Sequence, residues 1–201
     1  FGFTEAPLSV GIGKAIMDKS TRDNERVMWD CPEDECQVLW ERLKPHFPTN
    51  TYVMGHLWEA CGLNERFRFY RCKLHPTLPH LTADDTQQVF APHFDGCFPR
   101  NDQEVSHFTL LIYLSEGFEG GHTNFFPGRD LNKFVSVDPR IGQALAFWHV
   151  GPWSPLHEGA PHFSEGLYKY VLRSDVMYRK VRSLTPEEKN QFECDGSPKK
   201  K

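Results

Sequence analysis

His93 and Asp95 stand two residues apart in Phe90-Ala91-Pro92-His93-Phe94-Asp95-Gly96. On a strand, residues i and i+2 project to the same face, so this imidazole and this carboxylate would point together. They could fill adjacent positions around an octahedral metal, although an H-x-D pair alone is common on protein surfaces. The later segment Leu156-His157-Glu158-Gly159-Ala160-Pro161 adds weight. It follows far enough behind His93 for several strands to return the chain beside the first pair. Two imidazoles and one carboxylate on one face of a metal leave three positions open. That donor set suits ferrous iron with a co-substrate and dioxygen.

Such a face needs strands to carry it. The 201 residues, 39% hydrophobic and 13% aromatic, suffice for one well-packed domain and are unlike the composition of disorder. From Arg66 onward the hydrophobic pattern is that of strands. Arg66–Lys73, Gln88–Phe94, Ser106–Leu114, Thr123–Phe126, Lys133–Asp138, Gln143–Val150 and Tyr168–Arg179 are short runs rich in β-branched or aromatic residues, divided by Gly, Pro, Asn and Asp. The spacing predicts a mainly β (α+β) fold, a double-sheet jelly roll.

The segment before these runs reads as helical. Pro32 followed by Glu33, Asp34 and Glu35 opens a helix, because acidic side chains suit the exposed amides of a first turn. Cys36, Leu39, Trp40, Leu43 and Phe47 mark one apolar face, and Pro45 and Pro48 end it. A shorter helix is expected around Gly11–Lys19. The expected organisation is one domain over 1–185, with a helical lead-in over 1–63 packed outside a barrel over 64–180. A polar tail over 186–201 ends in three lysines.

A formal net charge of −4 argues against a nucleic-acid partner held by an overall positive field. No apolar run is long enough to cross a bilayer, so no membrane partner is expected. Cys31, Cys36, Cys61, Cys72, Cys97 and Cys194 form no C-x-x-C pair. They read as thiols of a reducing compartment, which gives a cytoplasmic expectation. Residue 1 is Phe, which leaves a preceding segment open.

The order of motifs is more specific. It runs from Asn64-Glu65-Arg66-Phe67-Arg68-Phe69-Tyr70 to the H-x-D segment, then to Thr109-Leu110-Leu111-Ile112-Tyr113-Leu114-Ser115. Gly120-Gly121-His122-Thr123-Asn124-Phe125-Phe126 follows, and then His157-Glu158-Gly159 with Lys169-Tyr170-Val171-Leu172-Arg173-Ser174-Asp175. In this order the stretches resemble the prolyl 4-hydroxylase-like branch of the 2-oxoglutarate- and Fe(II)-dependent dioxygenases. The resemblance covers most of the chain and implies a distorted double-stranded β-helix. It implies hydroxylation of a substrate C–H bond, with Fe(II), 2-oxoglutarate and O2 required, succinate and CO2 as co-products, and ascorbate as a candidate reductant. His93, Asp95 and His157 are, by resemblance, the iron ligands and the catalytic centre. Asp95 disfavours the halogenating relatives, in which a small residue replaces the carboxylate.

The chain departs from that pattern in three places. Residues 161–166 make the distal segment about two residues longer than usual, Cys72 stands where relatives commonly carry a tyrosine, and residues 73–88 replace a short connection. The 5-carboxylate of 2-oxoglutarate would lie deep in the barrel, where it needs a cation and hydrogen bonds. By resemblance Lys169 is that cation. Arg173, on the same strand face, is a second inward cation of open use. Thr109 and Tyr113 share a face and offer hydroxyls to the same carboxylate, and Tyr70 could replace the tyrosine absent at 72.

His46, His56, His75, His80, His107, His122, His149 and His162 read as surface or satisfied core residues. Trp148, Phe125, Phe126 and Phe147 read as barrel core, and Trp153 is placed near the expected pocket mouth. The resemblance favours a prolyl or other residue of a protein or peptide as substrate. A free amino acid or other small molecule is the alternative within the same chemistry, and a non-catalytic metal- and 2-oxoglutarate-binding sensor is the alternative outside it. Lys73–Gln88 is either a lid over the substrate or a tolerated surface insertion.

Overall fold

The computed structural model describes residues 2–9, 15–17, 24–72, 90–164 and 166–191. Its principal elements are β1 (Glu25–Asp30), α1 (Glu33–Leu43), β2 (Asn50–Val53), β3 (His56–Leu63), β4 (Arg66–Cys72), β5 (Phe90–His93), β6 (Pro99–Asn101) and β7 (Glu104–Tyr113). These are followed by β8 (Thr123–Phe125), β9 (Val135–Val137), β10 (Ala144–Trp148), β11 (His157–Gly159), β12 (Lys169–Ser183) and α2 (Pro186–Lys189).

Two antiparallel sheets result. The larger runs β1-β4-β12-β7-β10, and the smaller runs β9-β8-β11-β5. From β4 onward the chain passes back and forth between them: β4 large, β5 small, β7 large, β8 and β9 small, β10 large, β11 small, β12 large. That alternation rolls the sheets face to face into the jelly roll. β12, with 15 residues, is the longest strand. One edge pairs with β7 over Val171–Arg179, while the other pairs with β4 over Lys169–Arg173 and with β3 over Val176–Ser183.

The lead-in differs from expectation. Among the described residues only α1 is a substantial helix there; β1, β2 and β3 extend the larger sheet instead. Asn50–Val53 and His56–Leu63 form a hairpin about Met54 and Gly55, whose φ values of 51° and 73° match the primed turns that suit twisted strands. Ala15–Ile16 is a short strand paired with Leu8–Ser9, not part of a helix. α1 forms where predicted and buries Cys36 and Trp40 in a core shared with Trp58, Leu110 and Val176. In the tail, Thr185 and Glu188 cap α2 reciprocally. The expected lid, Lys73–Gln88, lies outside the described residues.

Candidate metal centre and adjoining cavity

β5 and β11 are neighbours in the smaller sheet, and their register sets His157 directly opposite His93. The two rings lie 4.3 Å apart between centroids. β5 ends at His93, and Asp95 follows in the loop with its carboxylate turned between the imidazoles. Asp95 Oδ1 is 3.5 Å from His93 Nε2, and Oδ2 is 3.6 Å from His157 Nε2. The three donor atoms all fall within 4.8 Å of one another.

Backbone contacts fix the tautomer of each imidazole. His93 Nδ1 lies 2.8 Å from the Ala91 carbonyl, and His157 Nδ1 lies 3.1 Å from the Pro155 carbonyl. A carbonyl only accepts, so each Nδ1 carries the proton and each Nε2 offers a lone pair toward Asp95. His93 Nε2 is buried and has no hydrogen-bond partner. Burial lowers His157 to about 4, against the opposing pull of Asp95. For Asp95, burial would raise the pKa, but the Arg173 guanidinium beside it holds the carboxyl well below the usual carboxylate range. Two imidazole nitrogens and one ionised carboxylate converge on one point. This donor set fits a divalent metal.

A cavity of ≈ 720 Å³, measured out to its mouth, adjoins this point between the two sheets. Lys169, Val171 and Arg173, alternate residues of β12, all line it, with Tyr70 and Cys72 from the neighbouring β4. Lys169 is 5% exposed. Burial lowers its pKa, and no carboxylate lies within ion-pair distance among the described residues. An anionic group entering the cavity would meet a buried cation that no carboxylate among the described residues already holds.

Arg173 is differently placed. Its Nη2 lies 3.0 Å from Asp95 Oδ1 and 3.9 Å from Asp175 Oδ1, so it belongs to the metal end of the cavity. Tyr113 packs with its ring centroid 6.0 Å from Lys169 Nζ, and its hydroxyl pairs with Thr123 Oγ1 at 2.7 Å. Thr109 corrects an expectation. It pairs with Asp175, six residues along β12 from Lys169, or about 20 Å at strand rise. It cannot share a carboxylate with Lys169; its hydroxyl donates to Asp95 Oδ2 at 2.7 Å. Trp153 is 63% exposed and does not line the cavity.

Two histidines discounted in the sequence lie close to the site. His162 lines the cavity, donates from Nε2 to the Cys72 carbonyl at 2.9 Å, and keeps a buried, unpartnered Nδ1. His149 is 3% exposed and touches Thr109. Neither stands in a motif, and each becomes visible only when β4, β7 and β10 are placed beside the cavity.

A family model described as the 2OG-Fe(II) oxygenase superfamily matches residues 80–174, a span that contains His93, Asp95, His157, Lys169 and Arg173. This stretch of the chain is similar to that superfamily. A probable prolyl 4-hydroxylase 3 of Arabidopsis thaliana is 27% identical over 175 residues, covering 64% of the chain and 61% of the relative. A probable prolyl 4-hydroxylase 11 of the same plant is 42% identical over 67 residues, covering 32% and 22%. The chain thus spans less than two thirds of these relatives. Among solved structures, a viral collagen prolyl hydroxylase of Paramecium Bursaria Chlorella virus-1 aligns with a TM-score of 0.48 and 18% identity, covering 79% of the chain and 80% of that structure. A Pseudomonas putida prolyl-4-hydroxylase aligns with a TM-score of 0.49 and 15% identity, covering 81% and 75%.

Proposed function

We propose that the protein is an Fe(II)- and 2-oxoglutarate-dependent dioxygenase that hydroxylates a prolyl residue of a peptide or protein. The observation that carries this reading is the pairing of two elements in one cavity: the His93–Asp95–His157 face and the buried Lys169, unmatched by any described carboxylate. The prolyl preference comes from the curated relatives, which are named as prolyl 4-hydroxylases. O2 is the proposed second co-substrate, and ascorbate the proposed reductant.

Bound iron would supply the chemistry that couples decarboxylation of 2-oxoglutarate, to succinate and CO2, with insertion of oxygen into a substrate C–H bond. The residues of the chain hold and orient. His93 and His157 present Nε2 lone pairs fixed by the Ala91 and Pro155 carbonyls. Asp95 stays ionised because Arg173 balances it in the interior. Lys169 gives the distal carboxylate of the co-substrate a charge-assisted hydrogen bond in a site from which water is largely removed. Phe147 and Phe125 pack 4.5 and 5.8 Å from the His157 ring and keep that side of the centre apolar.

Anaerobic addition of Fe(II) and 2-oxoglutarate should produce the visible charge-transfer band of chelated iron, and admission of air should release succinate. A proline-containing peptide library should then gain the mass of one oxygen. A band without succinate would leave a sensor in place of an enzyme, and no band would overturn the metal-site reading.

A further inference from the structure

Asp95 Oδ2 is the end of a file of hydrogen bonds that leads away from the metal face into the core. The Phe98 backbone N–H donates to Ser106 Oγ at 2.7 Å. Ser106 Oγ lies 2.9 Å from His149 Nε2, and His149 Nδ1 lies 2.9 Å from Thr109 Oγ1. Thr109 Oγ1 donates to Asp95 Oδ2 at 2.7 Å. Ser106, Thr109 and His149 are all buried, so water does not complete any of these contacts from outside.

Chemistry at the ends fixes the direction of every bond. A backbone N–H only donates, and an ionised carboxylate only accepts. Thr109 has a single hydroxyl proton, and Asp95 takes it. Thr109 can therefore only accept from His149, which places a proton on His149 Nδ1. Nε2 is then the acceptor for the Ser106 hydroxyl, whose oxygen accepts from Phe98 N–H. The opposite tautomer would leave His149 Nδ1 and Asp95 competing for one proton.

We infer that His149 is a positioning residue of the metal centre: its Nδ1–H commits the Thr109 hydroxyl to Asp95 and so holds the carboxylate in the orientation that faces His93 and His157. The inference rests on the proposed metal site. His149 does not touch Asp95; it acts through Thr109. With Thr109 on Oδ2 and Arg173 on Oδ1, both carboxylate oxygens are anchored before metal arrives. Groups that orient ligands from behind in this way commonly carry 10- to 100-fold of metal affinity.

The test uses Co(II) as the probe, with affinity and the ligand-field absorption spectrum as readouts, so that no turnover is needed. His149→Leu and Thr109→Val should each weaken Co(II) binding about tenfold or more and shift the spectrum. Thr109→Ser should restore both, as should His149→Asn, whose side-chain amide can donate from nearly the Nδ1 position. The double variant His149→Leu/Thr109→Val should be no worse than Thr109→Val alone, because the two residues act in series. Additive losses, no rescue by His149→Asn, or a folded His149→Leu protein with parental affinity and spectrum would each overturn the inference. If His149→Leu does not fold, Thr109→Val against Thr109→Ser and His149→Asn decides it. Failure of the parent protein to bind Co(II) would overturn the metal-site reading itself, and the inference with it.

Discussion

Arg173 Nη2 lies 3.0 Å from Asp95 Oδ1, so the carboxylate of the metal face has a buried counter-ion of its own. Behind Arg173 stands Asp175 at 3.9 Å, itself held by Arg68 at 3.3 Å and by the Asn64 side-chain amide at 2.9 Å. The charges alternate along this series: Arg68, Asp175, Arg173, Asp95. A divalent cation between the histidines would extend it by one more alternation. This arrangement answers how a carboxylate can remain ionised while buried, since burial alone would favour its neutral form.

Arg173→Leu should therefore leave Asp95 as an uncompensated interior charge. Removing one partner of such a pair typically costs about 3–5 kcal/mol. Urea denaturation of the metal-free protein should show a loss of that size, and saturating Mn(II) should return part of it by supplying the missing positive charge. Equal losses with and without Mn(II) would show that Arg173 is packing, not counter-charge.

Lys169→Met should separate stability from binding. A buried lysine without a carboxylate partner opposes folding, which is why its pKa is lowered. The variant should melt higher than the parent in the absence of 2-oxoglutarate. Its 2-oxoglutarate affinity should drop by 100-fold or more, in line with about 3–5 kcal/mol for leaving a buried charge unpaired. Isothermal titration of Mn(II)-loaded protein measures the second effect independently of turnover. Unchanged affinity would move the co-substrate carboxylate away from Lys169.

The residues that converge at the site were legible where two local signals coincide. His93 and His157 combine metal-binding chemistry with strand-end positions. Asp95 follows in the loop after β5 and not on the strand face expected for it. Lys169 and Arg173 lie on one strand face, as period-2 geometry requires. The barrel strands were legible from β-branched and aromatic runs, and α1 from its acidic first turn. The lead-in was not, because Asn50–Leu63 reads as strand only once the Met54–Gly55 turn folds it back, and its partner β12 is over a hundred residues away. The partners of Asp95 were hidden for the same reason. Thr109 and Arg173 reach it from two neighbouring strands, β7 and β12, and no spacing along the chain encodes that meeting.

His93→Ala and His157→Ala should leave the barrel folded, because the one backbone hydrogen bond of each imidazole is to a carbonyl two residues away in sequence. Each should lower Mn(II) affinity by more than the roughly 100-fold that outer-shell groups carry, and each should abolish the charge-transfer band. Asp95→Asn differs from both: it removes the charge that Arg173 balances, so it should also change the urea midpoint. Parental Mn(II) affinity in any of the three would exclude that residue as a ligand.

The metal-free protein should lose stability as pH falls from 7 toward 4: burial lowers His107, His149 and His157, and the values of His107 and His157 set the window. His107 is enclosed by Tyr178, stacked at 4.6 Å, and by Trp58 at 5.2 Å, with Thr51 Oγ1 2.9 Å from its Nδ1. Burial, reinforced by His149, lowers its pKa from 6.5 to about 3, and burial lowers His157 from 6.5 to about 4. Well above pH 6.5, beyond about pH 7.5, both residues are neutral in the folded and unfolded states alike, so they contribute no pH dependence there. Below 6.5 the unfolded chain takes up protons that the folded protein refuses, and unfolding becomes progressively more favourable until the folded values are reached. Each histidine contributes a slope of about 1.4 kcal/mol per pH unit within its window. Asp95, held below 3.8, acts in the same direction once the pH drops under that value. Guanidinium denaturation at pH 7.5, 6.5, 5.5 and 4.5 should trace the decline, and His107→Phe should flatten it by one proton's worth. A stability that stays level between pH 6.5 and 4.5 would mean that these imidazoles accept protons in the folded state, contrary to their burial.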